Sequence, residues 1–216
     1  IDKLKMEKTI AGTYVSARPL QNVGRGMSYL RAASNIPIIT ADDLSRATGR
    51  GTFRTLAFLT GIERRTSRKG TPFYRLNIDG DETSPPAMIF GGQVDAIEQS
   101  DANLVDGSLY LVSGKYYNGY NDRMTYSIES VTPMELARDG RMPLWVRLTE
   151  ASAEAAEKII KRELARHPGD LPVFFSVKLH DGTIDNHDSG LSISDDDESI
   201  MELEDAIGNK RMGVWE

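Results

Sequence analysis

The chain has 216 residues, 26 basic and 32 acidic side chains and a formal net charge of −6; at 39% hydrophobic, this is a globular composition that excludes wholesale disorder. It has no cysteine, which excludes disulfides, thiol catalysis and Cys-based zinc or iron–sulfur sites, and no apolar run near the ~20 residues needed to span a bilayer. The charge is uneven, with 8 basic against 4 acidic residues in 1–52, 8 against 10 in 53–134 and 10 against 18 in 135–216, so phosphates are expected on the first two thirds.

Residues 3–15 read as the end of a helix with Leu4, Ile10 and Tyr14 on one face, stopped at Arg18-Pro19 because the residue before proline disfavours helical torsions. A second short helix is expected within 21–34. Ile36–Ile39 is extended, and Thr40 caps a short helix with Asp42 and Asp43 in its first turn. From residue 53 the pattern changes to short apolar runs between turn signals. The expected strands are Arg54–Arg64, Phe73–Ile78, Ala87–Phe90, Ser108–Tyr117 and Arg123–Val131, with a helix over Gln93–Leu104 between the third and fourth. Three strands, a helix and two strands is the order of an OB-fold barrel.

The last third reads as a strand at Leu144–Leu148 and a helix capped by Thr149 or Ser152 that runs to Arg166, with Ala156, Ile160 and Leu164 at helical spacing. Strands follow at Val173–Leu179 and Thr183–Ile193 around the Asp181-Gly182 turn. Ser194 is expected to cap a helix closed by Gly208, and Arg211–Trp215 is a last strand. The fold class is therefore α+β. A five-stranded OB barrel (53–134) precedes a β-α-β-β-α-β ferredoxin-like domain (135–216), and 1–52 forms a helical or extended segment that ends an upstream domain.

Three stretches resemble the C-terminal region of the alpha subunit of bacterial DNA polymerase III, a C-family replicative polymerase. Residues 7–20, Glu7-Lys8-Thr9-Ile10-Ala11-Gly12-Thr13-Tyr14-Val15-Ser16-Ala17-Arg18-Pro19-Leu20, resemble the family's E-K-x-x-x-G-x-Y-x-S/T-G-H-P-L segment. Ser67-Arg68-Lys69-Gly70, Met88-Ile89-Phe90 and Val105-Asp106-Gly107-Ser108 through Gly114 resemble its OB domain; His167-Pro168-Gly169-Asp170-Leu171-Pro172-Val173 resembles an element of its last domain. Arg18 replaces the usual His, Ala17 the usual Gly, and Phe58 stands where the first OB strand usually has Gly, which suggests a divergent or phage-encoded member. The resemblance implies that the polymerising palm and its magnesium-binding aspartates lie upstream. These residues would then be a non-catalytic part of a nucleotidyltransferase, with no cofactor of their own. The implied partners are single-stranded template for the OB domain and the clamp-loader tau subunit for the last domain.

An OB barrel binds single strands over strands 2 and 3 and the 1–2 and 4–5 loops, using cations for phosphate and flat rings for bases. Arg64, Arg65, Arg68 and Lys69 crowd the 1–2 loop. Strand parity sends Tyr74, Leu76 and Ile78 inward and Phe73 and Arg75 outward. Lys115, Tyr117, Tyr120 and Arg123 lie on or near the 4–5 loop. These ten outward or loop residues are the expected DNA contacts.

Elsewhere the residues read as structural. His180, Asp181, Asp185, His187 and Asp188 have metal-ligand chemistry but fall on a hairpin that calls for such turn residues. Asp195–Glu198 is a helix N-terminus, His167 a helix cap or dipole partner, and neither Gly24-Arg25-Gly26 nor Gly49-Arg50-Gly51 fits a phosphate loop. No metal and no catalytic residue is expected. Trp215 or Phe175 is a candidate anchor for a basic partner, against core packing. The alternative to DNA contact is a purely structural, protein-docking module. No secretory signal opens the chain. A cytoplasmic setting is expected, at a bacterial replisome or in a phage host, and a first residue of Ile1 suggests a fragment or processed chain.

Overall fold

The structure is a computed structural model that describes residues 20, 30, 37–80, 83–99, 104–119, 122–137, 140–208 and 211–215. The chain divides into two units, Ile36–Glu135 with short additions and Leu136–Trp215 with short additions. The helices expected over 3–15 and 21–34 fall, but for residue 30, outside the described residues.

The first unit contains β1 (Ile38–Ile39), α1 (Ala41–Ser45), β2 (Gly51–Thr66), β3 (Pro72–Asp79), β4 (Pro86–Phe90), α2 (Gly92–Gln99), β5 (Ser108–Asn118) and β6 (Met124–Pro133). The sheet order is β1-β2-β3-β4-β6-β5, and β2 also pairs with β5, so five strands close on themselves. β4 and β6 run parallel, with Met88 opposite Ser127, while the other barrel pairs are antiparallel. This closed five-stranded mixed barrel, with a helix between its third and fourth strands, has the OB architecture.

Closure demands that β2 bend, because its first half pairs with β5 and its second with β3. The bend comes at a register shift between Thr60 and Glu63, where Gly61 takes a φ of +60° that a side chain disfavours. The Asp106-Gly107 element holds this bulge. The Asp106 carboxylate accepts from the Ile62 amide at 3.2 Å, and the Gly107 amide donates to the Leu59 carbonyl at 2.7 Å. Inside the barrel lie Phe53, Ala57, Leu59, Leu76, Ile78, Ala87, Ile89, Val112, Tyr126 and Ile128. The core also takes in Ala41 and Leu44 of α1, β1 pairs in parallel with Arg54 and Thr55, and the Tyr126 hydroxyl donates to the Leu44 carbonyl at 3.1 Å. The barrel unit thus begins upstream of residue 53.

The second unit contains β7 (Leu144–Thr149), α3 (Glu150–Arg166), β8 (Leu171–Lys178), β9 (Ile184–Ile193) and α4 (Asp197–Ile207). The expected element order is present through α4, but the strand order is β7-β8-β9. β7 and β8 are adjacent and parallel, and β9 lies antiparallel at the outside. A ferredoxin-like sheet would split the first two strands by the third, so the arrangement here is an unsplit β-α-β unit with an added hairpin strand. The reason is burial. Seven of eight β8 residues are buried or half-buried while β9 is mostly exposed; a continuous apolar run takes the centre and a polar strand the edge. The expected strand Arg211–Trp215 contributes one bridge, Met212 to Val146, and the Gly213 amide donates to the Trp145 carbonyl.

Helix α4 is capped by Asp196 and not by Ser194. The Asp196 carboxylate accepts from the Ser199 amide at 2.8 Å and from the Ser199 and Ser194 hydroxyls, and an ionised acceptor outcompetes a hydroxyl there. These bonds, the one from Ser194 first, hold the Asp196 carboxyl well below the usual carboxylate range. A depressed folded-state pKa contributes stability that is present above the unfolded value and is lost as pH falls. Thermal midpoints measured from pH 6 to pH 2 are therefore expected to fall less steeply below about pH 4 in Asp196→Asn than in the parent chain, and parallel curves would refute this role.

Candidate nucleic-acid interface

The outer face of the barrel is set by strand pairing, since residues opposite one another share a face. Arg65 lies opposite Phe73, Phe73 opposite Phe90, Glu63 opposite Arg75, and Arg75 opposite Met88. The row continues from Met88 to Ser127 and from Ser127 to Lys115. Farther along, Tyr117 pairs with Thr125 at the end that leads into the 4–5 turn. One surface therefore runs from the 1–2 turn, across β3 and β4, to the 4–5 turn.

Its centre is aromatic. The rings of Phe73 and Phe90 lie 5.7 Å apart at 30°. Phe90 is 40% exposed and Tyr117 39%, two of five large apolar side chains so exposed among the described residues. Exposed rings have a hydration cost that stacking on a base removes. Phe90 was absent from the expected contacts. The signal was available: Ala87 and Ile89 are the inward pair of β4, which leaves Met88 and Phe90 outward.

The cations sort into two groups. Arg68 and Lys69 are exposed in the Ser67–Gly70 turn, which is closed by the Gly70 amide on the Ser67 carbonyl at 2.9 Å. With Arg75 and Arg123 they are exposed, and no carboxylate pairs with them among the described residues. Arg65 pairs with Glu63, and Lys115 with Glu129. Arg64 departs from expectation. It lies opposite Tyr74, on the inward parity, and its Nε donates to Glu98 of α2 at 2.7 Å, where the Tyr74 hydroxyl also donates at 3.3 Å. The bond from Arg64 lowers the Glu98 pKa, and partial burial raises that of the Tyr74 phenol. Arg64 fastens α2 to the barrel and does not join the outer face. Tyr120 lies outside the described residues.

A pocket of about 210 Å³ opens between α2 and β6, lined by Ile89, Ala96, Ile97, Ile128 and Val131 with Gln93, Glu129 and Ser130. With one titratable group in that lining, it offers no acid–base pair. The hairpin residues pair with near neighbours: the Asp181 carboxylate accepts from the Thr183 amide at 2.9 Å, His187 pairs with Asp185 at 3.0 Å, and His180 pairs with Glu150. Phe175 is a core residue of the second unit. Trp215 is half-buried, with its indole N–H on the Leu148 carbonyl at 2.7 Å, so neither ring is a free anchor.

No protein-family model matches the chain, and no curated protein does. Among solved structures it is similar to Rim1, a mitochondrial single-stranded DNA binding protein of S. cerevisiae, at 10% identity over 40% of this chain and 98% of that one, TM-score 0.33. It is similar to RecG bound to a three-way DNA junction, at 15% identity over 48% of this chain and 13% of that one, TM-score 0.36. It is also similar to the second OB-fold domain of replication protein A from Methanococcus maripaludis, at 16% identity over 44% of this chain and 94% of that one, TM-score 0.32. The barrel's own strand order and parallel β4–β6 closure define it as an OB fold.

Proposed function

We propose that this chain binds single-stranded DNA on the outer face of β3, β4 and β6. The observation that carries the reading is the outward pair of exposed Phe90 and half-buried Phe73 flanked by Arg68, Lys69, Arg75 and Arg123, the arrangement of rings and cations that holds bases and phosphates. The protein acts by binding and positioning, without a catalytic group or cofactor of its own. The resemblance to the polymerase III alpha subunit supports a finer reading. The barrel guides template beside a polymerase active site carried elsewhere, and the second unit docks a replisome partner such as the clamp-loader tau subunit. Among the described residues no helix is long and apolar enough to cross a membrane, and a replisome partner does not require one.

The test is fluorescence anisotropy of a labelled single-stranded oligonucleotide over a salt series. Four exposed cations predict a slope of log affinity against log salt of up to about −3, at ~0.7 per phosphate neutralised on a single strand. Changing Arg68, Lys69, Arg75 and Arg123 together to Glu is expected to abolish binding with the circular dichroism unchanged. Unaltered affinity in that variant would overturn the DNA reading and leave the chain a protein-docking module.

A further inference from the structure

Away from the barrel, one cluster brings unlike ligand types together from two helices. Glu163 in the last turn of α3, His167 at the α3 C-cap and Glu202 of α4 each place a ligand atom within 4.8 Å of the others. Local structure fixes the first two. The His167 amide donates to the Glu163 carbonyl at 3.1 Å, and its own carbonyl accepts from the Ser194 amide at 3.0 Å, tying the end of α3 to the loop before α4. Glu163 is only 3% exposed.

The hydrogen bonds determine which imidazole nitrogen is available. The Ser199 hydroxyl donates to the Asp196 carboxylate at 2.7 Å, so toward His167 it can only accept. His167 Nδ1, 3.2 Å from that oxygen, therefore carries a proton. In the neutral ring this leaves the Nε2 lone pair aimed at Glu202 Oε2, 2.8 Å away. A lone pair facing a carboxylate calls for a positive centre between them, which a metal ion or a proton supplies. This second-layer bond, imidazole N–H to a hydroxyl that is itself held by a carboxylate, is the kind that orients a metal-ligating histidine.

We propose that Glu163, His167 and Glu202 bind a divalent transition-metal ion, with Zn²⁺ the best fit, and that the ion clamps the end of α3 to α4. One imidazole and two carboxylates form a mixed N/O set suited to zinc. Bond lengths near 2 Å place tetrahedral donors roughly 3.3 Å apart, so small side-chain adjustments admit the ion, with water in the fourth position. Arg162 and Arg166 pair with Glu163 and compete with the metal. Both are 62% exposed at the side chain and free to turn outward, and such pairs are weak.

The test uses the full chain without an affinity tag, titrated with ZnCl₂ in competition with a chromophoric chelator, and its thermal unfolding with and without zinc. One zinc per chain and a midpoint raised by the ion are expected. His167→Gln and Glu202→Gln should each weaken zinc binding by at least about 10-fold, and Ser199→Ala by about 10- to 100-fold through the freed imidazole. Glu202 is half exposed, so Glu202→Gln keeps the fold, checked by circular dichroism. His180→Gln with His187→Gln should leave the affinity unchanged. The site is refuted if no stoichiometric zinc binds, if Glu202→Gln binds as the parent does, or if the hairpin histidines prove to be the ligands. The first result would identify His167 as a protonated partner of Glu202.

Discussion

Phe90→Ala is expected to weaken single-stranded DNA binding by roughly 5- to 150-fold, since losing one stacked ring costs about 1–3 kcal/mol per base. The substitution isolates recognition from folding. Phe90 is 40% exposed and ends β4 beside the glycine turn, so truncating its ring opens no cavity. Phe73→Ala should give a comparable loss, and the double variant should fall short of the product, because the two rings touch and residues in contact are not additive. Arg64→Ala is the matched control. It removes a cation near the same turn, yet Arg64 lies in β2 on the inward parity and reaches Glu98 of α2, so affinity should stay within about 2-fold of the parent. Anisotropy at fixed salt checks all four variants. If Arg64→Ala weakened binding as much as Phe90→Ala, charge alone would explain the affinity and the aromatic platform would lose its role.

Why Arg64 misled and Phe90 escaped notice follows from what alternation can carry. The parity of β3 was legible because Tyr74, Leu76 and Ile78 alternate with polar neighbours; the structure places Phe73 and Arg75 outward as that pattern requires. In β2 the pattern breaks. Phe53, Ala57 and Leu59 are inward at odd positions, whereas Ile62 packs on the same core from an even one. The bulge at Gly61 inserts the extra residue that reverses parity, and it turns Arg64 from the outer face to α2. A lone glycine in a strand signals such a bulge without locating its effect. In the second unit, local periodicity specified β-α-β-β-α, but neighbours in a sheet depend on relative burial. The polar run Asp185–Asp188 of β9 marked an edge strand, and with β8 far more apolar the split arrangement was disfavoured. The Glu163–His167–Glu202 cluster was beyond reach of the sequence, because Glu202 stands 35 positions from His167 and meets it only through the packing of α3 on α4.

Phe53→Ala should have the opposite signature to Phe90→Ala. Phe53 is 1% exposed and meets Tyr126 edge-on, with ring centroids 6.5 Å apart at 80°. It also fills the space beneath Gly114, where an added Cβ would collide with the Ser127 carbonyl oxygen and crowd the Phe53 ring. β5 and β6 therefore approach each other closely over this one side chain, and the surrounding backbone cannot collapse into the gap. Truncating such a ring costs about 3–5 kcal/mol, a fifth or more of the ~5–15 kcal/mol that holds a typical domain folded. With a urea dependence of ~1–3 kcal/mol per molar, the barrel's midpoint should drop by more than about 1 M in far-UV circular dichroism. The outer face is untouched, so below the transition the folded fraction should bind DNA with the parent affinity. A small stability change would mean that β5 and β6 close over the cavity, and that Gly114 and not Phe53 determines their spacing.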